Sequence, residues 1–98
     1  MTINKIQNGN ALTISVEGRL DTTTAPELEK VIKESLGNIN DLTLDFSKLD
    51  YISSAGLRVL LSAQRIMKSQ GKMKVTNINE VVREVFEVTG FADILTIE

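Results

Sequence analysis

The chain has 98 residues, 42% hydrophobic and 24% charged, with 11 basic and 13 acidic side chains and a net charge of −2. A chain of about 100 residues has the size of one domain and can bury a workable core without staples; its charge balance lacks the basic excess that general nucleic-acid binding calls for. It contains no cysteine and no histidine, which excludes disulfides, thiolate or imidazole metal sites and a Ser-His-Asp triad.

Residues 2–7 and 11–17 are predicted strands. Leu12, Ile14 and Val16 alternate with Thr13, Ser15 and Glu17, a period of two that separates an apolar from a polar face. Asn8-Gly9-Asn10 lies between the two runs, and Asn-Gly suits a tight hairpin. Thr24 followed by Glu27 has the spacing of a capping box. Pro26 falls in the first turn, where its missing N–H is harmless. Leu28, Val31, Ile32 and Leu36 recur at helical spacing, so the first helix is expected over about 25–36, with Gly37 in the left-handed position after it. "DLTLDF", 41–46, predicts a third strand, followed by a loop. A second helix is expected from near Ala55 to about Gln70, with Leu57, Leu60, Leu61, Ala63, Ile66 and Met67 on its apolar face. Arg58, Ser62, Arg65 and Ser69 fall on the opposite face. "KMKVTN", 72–77, is a fourth strand. Asn79 can cap a third helix with apolar positions Val81, Val82, Val85, Phe86 and Val88, ended by Gly90. "DILTIE" forms a short terminal strand or a docked tail.

The order ββαβαβα makes 41–76 a right-handed parallel βαβ unit. The expected fold is a single α/β domain over 1–98: a mixed four- to five-stranded sheet with amphipathic helices packed mainly on one face. With only four aromatics (Phe46, Tyr51, Phe86, Phe91), aliphatic side chains must supply the core. No run of about 18 apolar residues is present, and the first residues show no signal core. The expectation is a cytoplasmic protein without membrane association.

Ser53 and Ser54 stand at the junction between the third strand and the second helix. One reading is an N-cap. A nucleophile fits poorly: the window Ile52-Ser53-Ser54-Ala55-Gly56 lacks the first glycine of G-x-S-x-G, and no histidine is available as base. A third reading is a phosphate acceptor. A helix N-terminus presents free N–H groups and a positive dipole end, and a phosphate there adds a charge of roughly −1.5 to −2. Asp21 can support its own turn or meet a partner. Asp45 and Asp50 are isolated carboxylates of the kind usually just solvated, and no metal site is expected. Arg58, Arg65, Lys68, Lys72 and Lys74 form a basic face.

Taken together, "VEGRLDTTTAPEL" (16–28), "LTLDFSKLDYISSAGLRVLL" (42–61) and "VREVFEVTGFADILTI" (82–97) resemble a stand-alone STAS domain, nearest the bacterial anti-sigma factor antagonists. That resemblance implies a binding module rather than an enzyme, without a cofactor. Unphosphorylated, it would bind an anti-sigma factor that is also a serine kinase of the GHKL type, and so free a sigma factor. Phosphorylation would switch binding off, and a PP2C-type phosphatase would restore it. The family's acceptor lies two residues before a glycine-leucine pair, which places it at Ser54. Ser53 stands where an acidic residue is usual and is a rival acceptor, and Arg58 stands where several members have glycine. The implied partner surface comprises Asp21, Thr22, Ser53, Ser54, Ala55, Gly56 and Arg58, on a monomer when free. A nucleotide-binding sensor, or a STAS subunit of a transporter or signalling assembly, remains an alternative.

Overall fold

In a computed structural model, which describes residues 1–98, the period-two segments pair as one sheet in the order β1-β2-β3-β4. β1 (Thr2–Asn8) and β2 (Ala11–Leu20) form the hairpin. Gly9 is its one loop residue with positive φ, +64°, the Gly-first pattern of a II′ turn rather than an Asn-Gly I′ turn. β2 pairs in parallel with β3 (Asp41–Ile52), and β3 in parallel with β4 (Lys72–Thr76). Helices α1 (Ala25–Ser35) and α2 (Ser54–Lys68) form the two crossovers. Both crossovers step the same way across the sheet. Taken right-handed, they lay α1 and α2 on one face, where they pack together.

The alternation decides which side chains meet those helices. Leu12, Ile14, Val16, Leu42 and Leu44 are buried, whereas Thr13, Ser15, Thr43 and Asp45 are half-exposed on the other face. α3 (Glu80–Thr89) adds Val82 and Phe86 to the same core. Every buried side chain is apolar, and of the four aromatics only Phe46 and Phe86 are fully buried, so the core is aliphatic as expected.

Several local expectations give way to tertiary structure. β3 continues through the segment predicted as a loop. Register shifts against β2, between Ser15 and Glu17 and between Gly18 and Arg19, insert extra β3 residues. Bulges break the alternation, so Phe46 and Leu49 both reach the core with Ser47 and Lys48 exposed between them. α2 begins at Ser54 and ends at Lys68, two residues short of Gln70. Gln70 instead turns its amide to the carbonyls of Leu36 and Ile39, both at 2.6 Å. The carbonyl of Leu36, which closes α1, is satisfied in this way, and Gly37 is not left-handed.

The Thr24–Glu27 capping box does not form. Thr24 precedes α1 with helical backbone angles (φ −101°, ψ −22°) and makes no side-chain cap bond; a capping residue needs an extended backbone to reach forward. Asn79 has that backbone (ψ 177°), and its Oδ1 accepts the Val82 N–H at 2.8 Å. Gly90 ends α3 with φ +83°, as expected. The chain end docks rather than forming a full strand. Leu95 is buried, and one parallel bridge joins Ile97 to Val75 on the outer edge of β4.

Candidate functional site at the start of the second helix

The carboxyl ends of β2 and β3 lie side by side, with Leu20 paired to Ile52. The Ser53 N–H donates to the Leu20 carbonyl at 2.9 Å. That bond continues the strand pairing and brings the β2–α1 loop, with Asp21 and Thr22, beside the β3–α2 junction. The predicted site residues from positions 21–22 and 53–58 are thereby brought to one edge of the domain.

Ser53 is the N-cap of α2, with an extended backbone (φ −100°, ψ 177°). Its carbonyl accepts the first helical bond, from the Leu57 N–H at 3.0 Å. Its hydroxyl does not cap the helix: Oγ is buried and has no hydrogen-bond partner. Ser54, the first helical residue, is exposed. Because neither serine side chain caps the helix, the N–H groups of Ser54, Ala55 and Gly56 have no acceptor within the chain, which leaves this end electropositive. Arg58 lies one turn along the helix from Ser54, also exposed, and i, i+4 residues share a helix face.

Gly56 is buried, so its part in the site is to set distance rather than to touch a partner. A β-carbon there would lie 2.8 Å from Ile52 Cγ1 and 2.8 Å from Leu20 Cγ. Only a residue without one lets the first turn of α2 rest on the two strand ends.

Asp21 has a clear local role. Its Oδ1 accepts the Thr23 hydroxyl at 2.8 Å, the Thr23 N–H at 3.0 Å and the Thr24 N–H at 3.2 Å. The Thr23 hydroxyl, with the Thr23 and Thr24 donors, holds the Asp21 carboxyl below its usual range against an opposing desolvation effect. Thr24 in turn donates its hydroxyl to the Arg19 carbonyl at 2.8 Å. Thr22 is exposed beside this knot.

Two residues that the sequence reading missed join the edge. The Arg19 guanidinium lies over the Tyr51 ring, 4.5 Å from its centroid, and Arg19 Nε is 3.8 Å from Asp21 Oδ2. Their only sequence signal is that they fall opposite each other once the β3 bulges are placed. Asp45 does not join the site. Its Oδ1 accepts the Ser47 N–H at 3.0 Å and the Asn77 amide at 3.2 Å. The Ser47 N–H is the main reason its carboxyl is held low, with Asn77 and Lys48 adding to it.

The polar groups at this edge are an exposed serine hydroxyl, backbone N–H donors without acceptors, a half-buried carboxylate and two exposed guanidiniums. They gather at the start of a helix on a small α/β domain. Comparison with known proteins gives the family: the chain matches the STAS domain over residues 2–98 and belongs to that family. It is 35% identical to BtrV of Bordetella bronchiseptica, which carries the assignment of anti-sigma factor antagonist, over 99% of this chain and 84% of that protein. It is 29% identical to the anti-sigma-B factor antagonist of Bacillus subtilis, over 93% of this chain and 84% of that one. Among solved structures, an anti-sigma factor antagonist from Mycobacterium paratuberculosis superposes with a TM-score of 0.89 at 23% identity, covering 98% of this chain and 83% of that one. The anti-sigma factor antagonist SpoIIAA, solved unphosphorylated and phosphorylated, gives 0.78 and 0.77 at 18% identity, covering 99% of this chain and 87% and 91% of those. The four-stranded mixed sheet with its helices is the architecture these structures share.

Proposed function

We propose that this protein is an anti-sigma factor antagonist worked by partner switching. Unphosphorylated, it binds an anti-sigma factor that is also a serine kinase of the GHKL type, and sigma factor is released. The kinase transfers the γ-phosphoryl group of ATP to the Ser54 oxygen; ADP leaves, and the hydroxyl proton passes to solvent. The complex then separates, and a PP2C-type phosphatase returns the serine. Regulatory relatives named as antagonists support the binding role.

The observation that carries the choice of acceptor is the contrast between the serines. Ser54 is exposed on the first turn of α2, whereas the Ser53 oxygen is buried. A kinase can reach the first without disturbing the fold and cannot reach the second. A phosphoryl group on Ser54 would meet the unpaired N–H groups of the first turn, with Arg58 one turn away. It would place roughly −1.5 to −2 charge where the partner docks, so release needs no unfolding. Asp21, Thr22, Ala55 and Arg58 are the docking residues in this reading, and Gly56 sets the height of the helix.

The test is incubation with the cognate kinase and ATP, followed by site mapping by mass spectrometry. Ser53→Ala should accept one phosphoryl group and Ser54→Ala none. Ser54→Asp should bind the kinase more weakly than the unmodified chain. Phosphate on Ser53 in the native protein would overturn the assignment.

A further inference from the structure

α3 shows two apolar sets where its sequence shows one. Val82 and Phe86 are fully buried, but Val81 is 51% exposed and Val88 is 79% exposed, with Val85 half-buried between them. Val81, Val85 and Val88 stand at i, i+4 and i+7, one continuous stripe, and line a shallow groove with Glu84 and Thr89. Ile94, just past the helix, is 48% exposed; of the chain's exposed large aliphatics only Ile6 lies elsewhere. Exposed apolar side chains gathered this way mark interaction surfaces more than scattered ones do.

The charges beside the stripe select its occupant. Glu80, Glu84 and Glu87 repeat the same i, i+4, i+7 spacing one position earlier, so a row of carboxylates runs along one flank of the valines. None of the three is in an ion pair within the chain. A two-fold antiparallel pairing of α3 with a second copy would bring the two glutamate rows to the same side of the seam, like charge against like. An anionic lipid surface would meet the same repulsion. We propose that α3 is a second docking surface, separate from the Ser54 switch, which takes an amphipathic helix of a protein partner whose apolar face is edged by lysine or arginine. Apolar side chains of that helix at i, i+3 or i+4 and i+7 fill the groove between the valines, and its cations meet the glutamate row, which favours encounter and sets orientation.

The test uses two synthetic helical peptides of about 18 residues, five turns, with the same leucine face. One is edged by lysine and the other by glutamate. Binding is followed by fluorescence anisotropy and by amide shifts in the two-dimensional NMR spectrum. The lysine-edged peptide should saturate, shift amides across 81–89, and bind at least about tenfold more tightly than its counterpart. Val81→Ser with Val88→Ser, at exposed positions that leave the melting temperature near its native value, should weaken it by about tenfold or more. Glu80→Lys with Glu84→Lys should reverse the preference between the peptides. Equal affinity for both peptides, shifts confined to other elements, or self-association through α3 in sedimentation would each overturn the proposal. So would tighter capture by anionic vesicles than by the lysine-edged peptide.

Discussion

Replacing Gly56 with alanine probes the contact that seats α2 on the sheet. The new methyl would lie 2.8 Å from Ile52 Cγ1, 2.8 Å from Leu20 Cγ and 3.1 Å from Leu20 Cδ2. Neither neighbour can retreat freely, since Leu20 and Ile52 are 0% and 1% exposed and packed in the core. Overpacking of a filled site costs about 1–3 kcal/mol. Against this, alanine in place of glycine gains up to about 1 kcal/mol of helix propensity. The net loss expected is about 1.5 kcal/mol, a fall in melting temperature of about 6–12 °C for a domain of this size. Gly37→Ala is the control, because no heavy atom lies within 4 Å of its β-carbon and its φ is ordinary. It should leave stability unchanged or raise it by about 0.4–1 kcal/mol. Thermal unfolding by circular dichroism, with urea titration for both variants, reads the difference. A Gly56→Ala protein as stable as the Gly37→Ala control would show that the first turn of α2 does not press on the strand ends. The height argument for Ser54 would then fail.

Ser53→Ala removes a buried hydroxyl without a partner, so urea denaturation should find it neutral or stabilised by about 1 kcal/mol; a clear loss would mean that the hydroxyl is bonded after all. The lowered Asp21 pKa makes a signed prediction. A depressed carboxyl contributes stability that is present above its unfolded value, near 3.8, and lost as pH falls through the folded value. Asp21→Ala should therefore be less stable than the native chain near neutral pH, and the gap should close as pH drops below about 4; a gap independent of pH would refute the turn's charge dependence. Asn77→Ala should let the Asp45 carboxyl rise toward its ordinary value, read from its side-chain carbon shift on NMR titration, because the Asn77 amide is one of the donors holding it low. Phe86→Ala empties the largest buried side chain of α3 and should cost about 3–5 kcal/mol, measured by urea unfolding, whereas Val88→Ala, at the exposed stripe, should cost little.

The proposed switch and the fold are kept apart by where each serine lies. The Ser54 hydroxyl is exposed on a helical turn whose first N–H groups have no acceptor within the chain, while the Ser53 hydroxyl is buried. In the proposed switch, a phosphoryl group on the first would change recognition without changing packing. The same separation recurs on α3, where Val82 and Phe86 hold the helix down and leave Val81, Val85 and Val88 to face solvent.

Much of this was legible in the residues alone. Period-two alternation placed β2 and the first half of β3, helical spacing placed the three helices, and Asn79 and Gly90 marked both ends of α3, because each signal is a preference of local backbone and side-chain direction. The likeness of the central segment to a STAS domain singled out Ser54 as the expected acceptor, and to that expectation the structure adds its exposure. What the residues could not carry were matters decided between segments distant in the chain. Bulges against β2 extended β3 across a stretch that looks like a loop. Thr24 had the spacing of a capping residue but lacked the backbone for it, and Asp21 gathered the donors instead. Gly56 is required by Leu20, thirty-six positions away. Which of two adjacent serines is open, and which of five apolar positions on α3 remain outside, depends on how the helix lies on the sheet. Local sequence sets the periodicity of a helix, but only its packing partner decides which part of an apolar face is covered.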